Sequence, residues 1–170
     1  MKFQKKTIRL YSRTEVPQNF MKFYKVIRYW AKAKYKLTSS DLDLLFFIYS
    51  EGLFSKTDFD FFTRIYAWDT NRFKKLLKEG WIRVWRKPNK QKREKALYDM
   101  SYKGKKVIAS IYDKMLGTET SDQKPNNPMF YAKASSYSNK VHRDALIAMN
   151  KEYRETNPKL KNGRPANIPF

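Results

Sequence analysis

Two stretches, WIRVWR (residues 81–86) and KALYDM (residues 95–100), alternate in the manner of β-strands. The segment between them holds hardly an apolar residue. Helical periodicity lies on both sides, so the chain is constrained to carry one hairpin inside an otherwise helical frame. The tip of that hairpin holds Arg86, Lys87, Lys90, Lys92, Arg93 and Lys95 against a single acid, Glu94.

The helical pattern starts after Pro17, where Phe20, Phe23, Tyr24, Ile27, Trp30 and Ala31 recur at spacings of three and four. Ser40 is the N-cap expected for a second helix carrying Leu42, Leu44, Leu45, Phe46 and Ile48. That helix is expected to stop at Gly52 in a left-handed cap. Ser55 is placed to cap a short helix with Phe59, Phe61, Phe62 and Ile65. Asp69 or Thr70 then caps a third helix, with Phe73, Leu76 and Leu77 on one face and Gly80 at its end. After the hairpin, Ser101 caps a helix bearing Val107, Ile108, Ile111, Tyr112 and Met115, which ends at Gly117.

Outside this frame the chain changes character. Residues 1–16 read as a basic N-terminal arm, in which FQKKTIRLYS is either a short strand or extended. Residues 17–117 form the expected domain. Residues 118–170 read as a polar, Pro-containing linker or extended arm, a helix from Asn139 to about Arg154, and an extended tail ending NPKLKNGRPANIPF.

Charge narrows the partner class. Lys and Arg number 37 against 16 Asp and Glu, a formal net charge of +21. Self-repulsion on that scale opposes compaction and points to a polyanion, nucleic acid first and an anionic membrane surface second. Hydrophobic residues at 41% and aromatics at 16% set the chain apart from a disordered polycation. No stretch approaches the ~20 apolar residues of a membrane span. MKFQKKTIRLYSR has no continuous apolar run, so no signal peptide is expected. The expectation is a soluble protein, cytoplasmic or carried within a virion, with no membrane partner.

Enzyme constellations are sparse. There is no cysteine, and His142 is the only histidine, which excludes thiol nucleophiles and His-based metal clusters. His142 reads as an exposed helix residue. No GxxxxGK[ST] or GxGxxG motif occurs. Asp41/Asp43 and Asp58/Asp60 could suggest two-metal carboxylates, yet residues i and i+2 diverge around a helix. Both pairs also fall in first turns, where acids suit the macrodipole. No catalytic residue, metal or cofactor is expected.

The element order carries a family resemblance. LTSSDLDLLFFIYSEG resembles the helix that precedes the helix-turn-helix of MarR-type regulators. DTNRFKKLLKEGWIRVWRK is similar to their recognition helix with its terminal glycine. KALYDMSYKGKKVIASIYDKM is similar to the wing's return strand, the "L-T-x-K-G" turn and the following helix. The resemblance covers about half of the chain, residues 37–117. It implies a mainly α (α+β) fold: a winged helix-turn-helix with a two-stranded β wing, here with extended terminal arms. The wing tip KPNKQKRE lacks the family's aspartate, while Lys92 and Arg93 stand near its wing arginines.

In such a fold the second helix enters the major groove. Thr70, Asn71, Arg72, Lys74, Lys75 and Lys78 would then face DNA. Asn71 and Arg72 suit adenine and guanine edges, and the lysines suit phosphates. Arg86, Lys87, Lys90, Lys92, Arg93 and Lys95 of the wing would straddle a phosphate ridge or enter the minor groove. Trp81, Trp85 and Tyr98 read as hairpin packing rather than as base-stacking groups. Lys22, Lys25 and Arg28, with Lys5, Lys6, Arg9 and Arg13 of the arm, form a second basic surface toward DNA or an acidic protein. The expectation is a transcriptional regulator of double-stranded DNA, with homodimerisation left open. The alternative is a structural component of a large nucleoprotein assembly such as a phage particle, whose basic tails wrap protein neighbours.

Overall fold

The computed structural model describes residues 21–66, 71–89, 91–121, 127–131 and 136–160. Among these residues six α-helices and three strands follow in the order α1 (Met21–Tyr35), α2 (Ser39–Glu51), β1 (Phe54–Ser55), α3 (Lys56–Tyr66), α4 (Asn71–Lys78), β2 (Ile82–Arg86), β3 (Leu97–Met100), α5 (Tyr102–Leu116) and α6 (Tyr137–Thr156). The fold is mainly helical with one small antiparallel sheet. The expected N-terminal arm, Phe20, the Asp69 or Thr70 cap, and the tail beyond residue 160 lie outside the described residues.

The sheet has three strands, in the order β1-β3-β2. The third strand is a correction to the expected pair. Phe54 and Ser55 pair with Tyr98 and Leu97, although Ser55 was expected only as a helix cap. It serves both purposes, because the Asp58 carboxylate accepts from its N–H (2.8 Å) and its hydroxyl accepts from the N–H of Asp58 (3.2 Å). A two-residue strand is too short to leave an alternation that can be read.

Caps account for the other helix starts. Thr38, not Ser40, caps α2. Its hydroxyl accepts from the N–H of Asp41 (3.1 Å), and the Asp41 carboxylate accepts from the N–H of Thr38 (3.0 Å). This reciprocal box satisfies two otherwise orphaned donors. Gly52 does take a positive φ of 77°, but its ψ of −121° lies outside the left-handed helical region. Ser101 caps α5 as expected, and Gly117 closes it in the left-handed conformation at φ 74°, ψ 17°. The last helix is longer than expected, starting at Tyr137 behind the cap Ser136 and running to Thr156.

The core is continuous from α1 to α6. Ile27, Trp30, Leu42, Leu45, Leu76, Ile82, Ile108 and Leu146 are all buried. Part of the segment expected as a linker or extended arm packs against it. Met129 is buried in a short 3₁₀ turn, Pro128–Phe130, and the Asn127 amide donates to the Trp30 carbonyl at 3.1 Å. Asn150 of α6 holds Ser121 on both sides, accepting from its N–H (2.9 Å) and donating to its carbonyl (2.8 Å). Buried backbone must be hydrogen-bonded, and these two side-chain amides supply the partners. His142 corrects the picture of an exposed helix residue: its ring is half-buried and stacks on Tyr29 with centroids 4.0 Å apart.

Candidate nucleic-acid interface

Helix α4 is short and strongly two-faced. Phe73 and Leu76 point inward, while Asn71, Lys74 and Lys78 are exposed. The inward face meets aromatic rings from three other elements. Phe73 lies 4.8 Å from Phe59 of α3 and 4.8 Å from Tyr98 of β3, edge-on to the latter, and 6.4 Å from Phe54. Aromatic clusters of this kind contribute beyond their buried area, and they fix the rotation of α4 about its axis.

A second anchor is ionic. Asp41 of α2 is fully buried, and Arg72 Nη1 reaches its Oδ1 at 2.9 Å while Lys75 Nζ reaches its Oδ2 at 2.7 Å. Arg72 also donates to the Thr38 hydroxyl at 3.0 Å. Burial opposes ionisation of Asp41. Hydrogen bonds from Lys75, Thr38 and Arg72 outweigh it and hold the carboxyl well below the usual carboxylate range. Two of the six side chains expected to face DNA are therefore bonded to α2. Asn71, Lys74 and Lys78 occupy the exposed side, and Thr70 lies outside the described residues.

The hairpin continues from α4 through Gly80, whose φ of 74° suits glycine. Strand β2 pairs with β3 from Ile82↔Met100 to Val84↔Tyr98, then slips at Trp85 so that Arg86 faces Leu97. Beyond the strands the chain is still ordered by hydrogen bonds. Asn89 and Glu94 exchange backbone bonds at 3.0 and 2.9 Å, and the Asn89 side chain accepts from the N–H groups of Gln91 and Lys92. Arg93 takes a left-handed φ of 51° to close the turn. A tip built in this way presents its cations in a defined arrangement.

The hairpin cations divide by partner. Arg86 lies along the hairpin, with Nη1 3.8 Å from Glu94 and Nη2 donating to the Lys95 carbonyl at 3.4 Å. Lys95 reaches Thr57 of α3 at 3.4 Å. Lys87, Lys92, Arg93 and Lys95 make no ion pair among the described residues, and Lys90 lies outside them. At the base, Arg83 and Lys105 converge on Oδ2 of the buried Asp99 at 3.1 and 2.8 Å. Burial again opposes ionisation there, and the two cations outweigh it to lower the Asp99 pKa.

The second basic surface is largely compensated. Lys22 pairs with Glu152 of α6 and Arg28 with Asp43 of α2, while Lys25 is exposed without an ion pair among the described residues. Arg28 also donates to the Tyr24 hydroxyl at 3.0 Å. The arm lysines and arginines lie outside the described residues.

The paired aspartates have structural partners as well. Asp41 holds Arg72 and Lys75, Asp43 holds Arg28, Asp58 caps at Ser55, and Asp60 pairs with Lys56. No helix among the described residues is long and apolar enough to cross a membrane.

Sequence reasoning missed Asp41 as the organiser of this face. Its signal was present as T-x-x-D at residues 38–41, a capping box with Asp in place of Glu. Its partners Arg72 and Lys75 are 31 and 34 residues away, where no local rule reaches. No family model, curated protein or solved structure matches the chain.

Proposed function

We propose that the protein binds double-stranded DNA as a winged-helix module, with α4 as the recognition helix and the β2–β3 hairpin as the wing, and that it acts as a transcriptional regulator. One observation carries the reading. The outer side of α4 and the hairpin beside it expose Lys74, Lys78, Lys87, Lys92, Arg93 and Lys95, none of them in an ion pair among the described residues. Asp41, Asp99 and Glu94, on α2 and the hairpin, already have cations, and Glu79 at the end of α4 is the one exposed acid beside them among the described residues. A face with six unpaired cations among the described residues and few exposed acids suits a polyanion. The element order, with a short strand between the second and third helices pairing with the return strand of the hairpin, agrees with a winged-helix topology.

The roles within that interface follow the geometry. Lys74 and Lys78 would meet phosphates across the major groove, and Asn71 is the described residue best suited to a base edge. Arg72 and Lys75 orient the helix through Asp41. The hairpin lysines and Arg93 would follow the neighbouring phosphates, giving electrostatic grip rather than base reading.

Titration of duplex DNA at several salt concentrations tests the proposal. Six phosphates neutralised would give a slope of log K against log salt of about −5. Absence of binding at low salt, or binding indifferent to loss of Lys74 and the hairpin cations, would overturn it.

A further inference from the structure

Trp85 stands apart from the other aromatics of the sheet. Trp81 is buried, with its ring edge-on to Tyr35 at 6.2 Å and Lys103 over its face at 4.2 Å. Tyr98 packs against Phe54 and Phe73. Trp85 is 52% exposed and makes no ring contact among the described residues. It sits where the pairing of β2 with β3 slips by one residue, so it has no cross-strand partner. A bulge re-aims a side chain and marks functional positions more often than chance. Strand β2 is also the edge of the sheet, which leaves no further strand among the described residues to cover it. Its neighbour Val84 is 46% exposed.

The surroundings select the occupant. Lys87 follows the ring in sequence, beside Arg83 and Arg86, which also reach Asp99 and Glu94, and Lys92, Arg93 and Lys95 follow at the tip. A second copy of a chain with net charge +21 would be repelled there. A flat aromatic face inside a cationic track is how proteins hold unpaired nucleotides, since every base offers a π-face and every nucleotide a phosphate. We infer that Trp85 is a stacking platform for an unpaired base, so that the preferred ligand is DNA in which a duplex continues into a single strand. The inference rests on the DNA-binding reading and adds a substrate preference to it. The duplex occupies α4 and the hairpin cations, and the first unpaired base lies on the indole.

Five labelled DNA probes test it by fluorescence anisotropy: a blunt duplex, the same duplex with a 5′ overhang, with a 3′ overhang, and with an abasic counterpart of each overhang. The abasic overhangs keep the phosphates and remove only the bases. One of the base-bearing overhangs is expected to bind about ten-fold more tightly than its abasic counterpart. Trp85→Ala should erase that difference without changing affinity for the blunt duplex, and Trp85→Phe should retain most of it. Equal affinity of wild-type protein for base-bearing and abasic overhangs overturns the inference and leaves duplex binding standing. Persistence of the difference in Trp85→Ala also overturns it. Absence of binding to every probe at low salt overturns the DNA-binding reading and this inference together.

Discussion

Arg72 Nη1 lies 2.9 Å from Oδ1 of the fully buried Asp41, and this contact joins the first turns of α2 and α4. It changes how α4 is understood, because a guanidinium suited to guanine is committed to a carboxylate inside the protein. Mutation should therefore separate stability from binding. Arg72→Ala leaves Asp41 with Lys75 and Thr38 and is expected to cost about 1–3 kcal/mol. Asp41→Ala leaves the Thr38 cap but removes the carboxylate's half of the capping box and both ion pairs, and should cost about 3–5 kcal/mol. Thermal or urea unfolding measures both values.

Lys74→Ala should behave in the opposite way. The side chain is exposed and unpaired among the described residues, so its loss is expected to leave the unfolding midpoint within about 0.5 kcal/mol of wild type. The salt slope of DNA binding should fall by about one. A large stability loss together with an unchanged slope would show that Lys74 serves the fold.

Neutralising the tip with Lys92→Gln, Arg93→Gln and Lys95→Gln should reduce the salt slope by about three. The turn is held by Asn89 and the Asn89–Glu94 backbone bonds, so circular dichroism should be unchanged. Arg93 has a left-handed φ, and Arg93→Gly should weaken binding while relieving about 1 kcal/mol of backbone cost.

Acid should weaken the fold in a particular window. Asp41, Asp58 and Asp99 all have folded-state pKa values below the ordinary carboxylate value. Their contribution is present above about pH 4 and is lost as pH falls through the folded values. Asp41→Asn should be less stable at neutral pH and show a shallower loss on acidification, read from urea midpoints between pH 7 and pH 2. An unchanged slope would mean that Asp41 does not carry the linkage.

Gly104 has no room for a side chain. A Cβ there would stand 2.6 Å from Met100 Cγ and 2.9 Å from the Trp81 carbonyl oxygen. Gly104→Ala is expected to cost about 1–3 kcal/mol, because the backbone carbonyl cannot move aside as a flexible side chain can. Differential scanning calorimetry provides the measurement.

Local chemistry made much of this protein legible before any coordinates. The apolar spacing of Ile27, Trp30 and Ala31, of Phe73 and Leu76, and of Ile108 and Ile111 marks faces that are buried. Ser101 and Gly117 bound α5 because capping needs only residues within one turn. WIRVWR and KALYDM announced the hairpin as two apolar, aromatic-rich runs on either side of a polar turn, although neither strand buries alternate residues. The concentration of charge at its tip was visible by counting.

Tertiary structure decided what those residues do. β1 is two residues long and exists because Tyr98 and Leu97 offer a strand edge to Phe54 and Ser55. Asn127 lies in a polar stretch and Asn150 at the end of the apolar run ALIAM, and they supply hydrogen bonds to buried backbone from 97 and 29 residues away. Trp81 and Trp85 look alike in sequence. One is buried at the hairpin's base, and the other is left exposed by a register slip. Arg72 is equally ambiguous in one dimension, where its neighbours are Asn71 and Phe73. Burial of Asp41 in a low-dielectric site demands compensating charge, and only the approach of α2 to α4 brings Arg72 and Lys75 within reach.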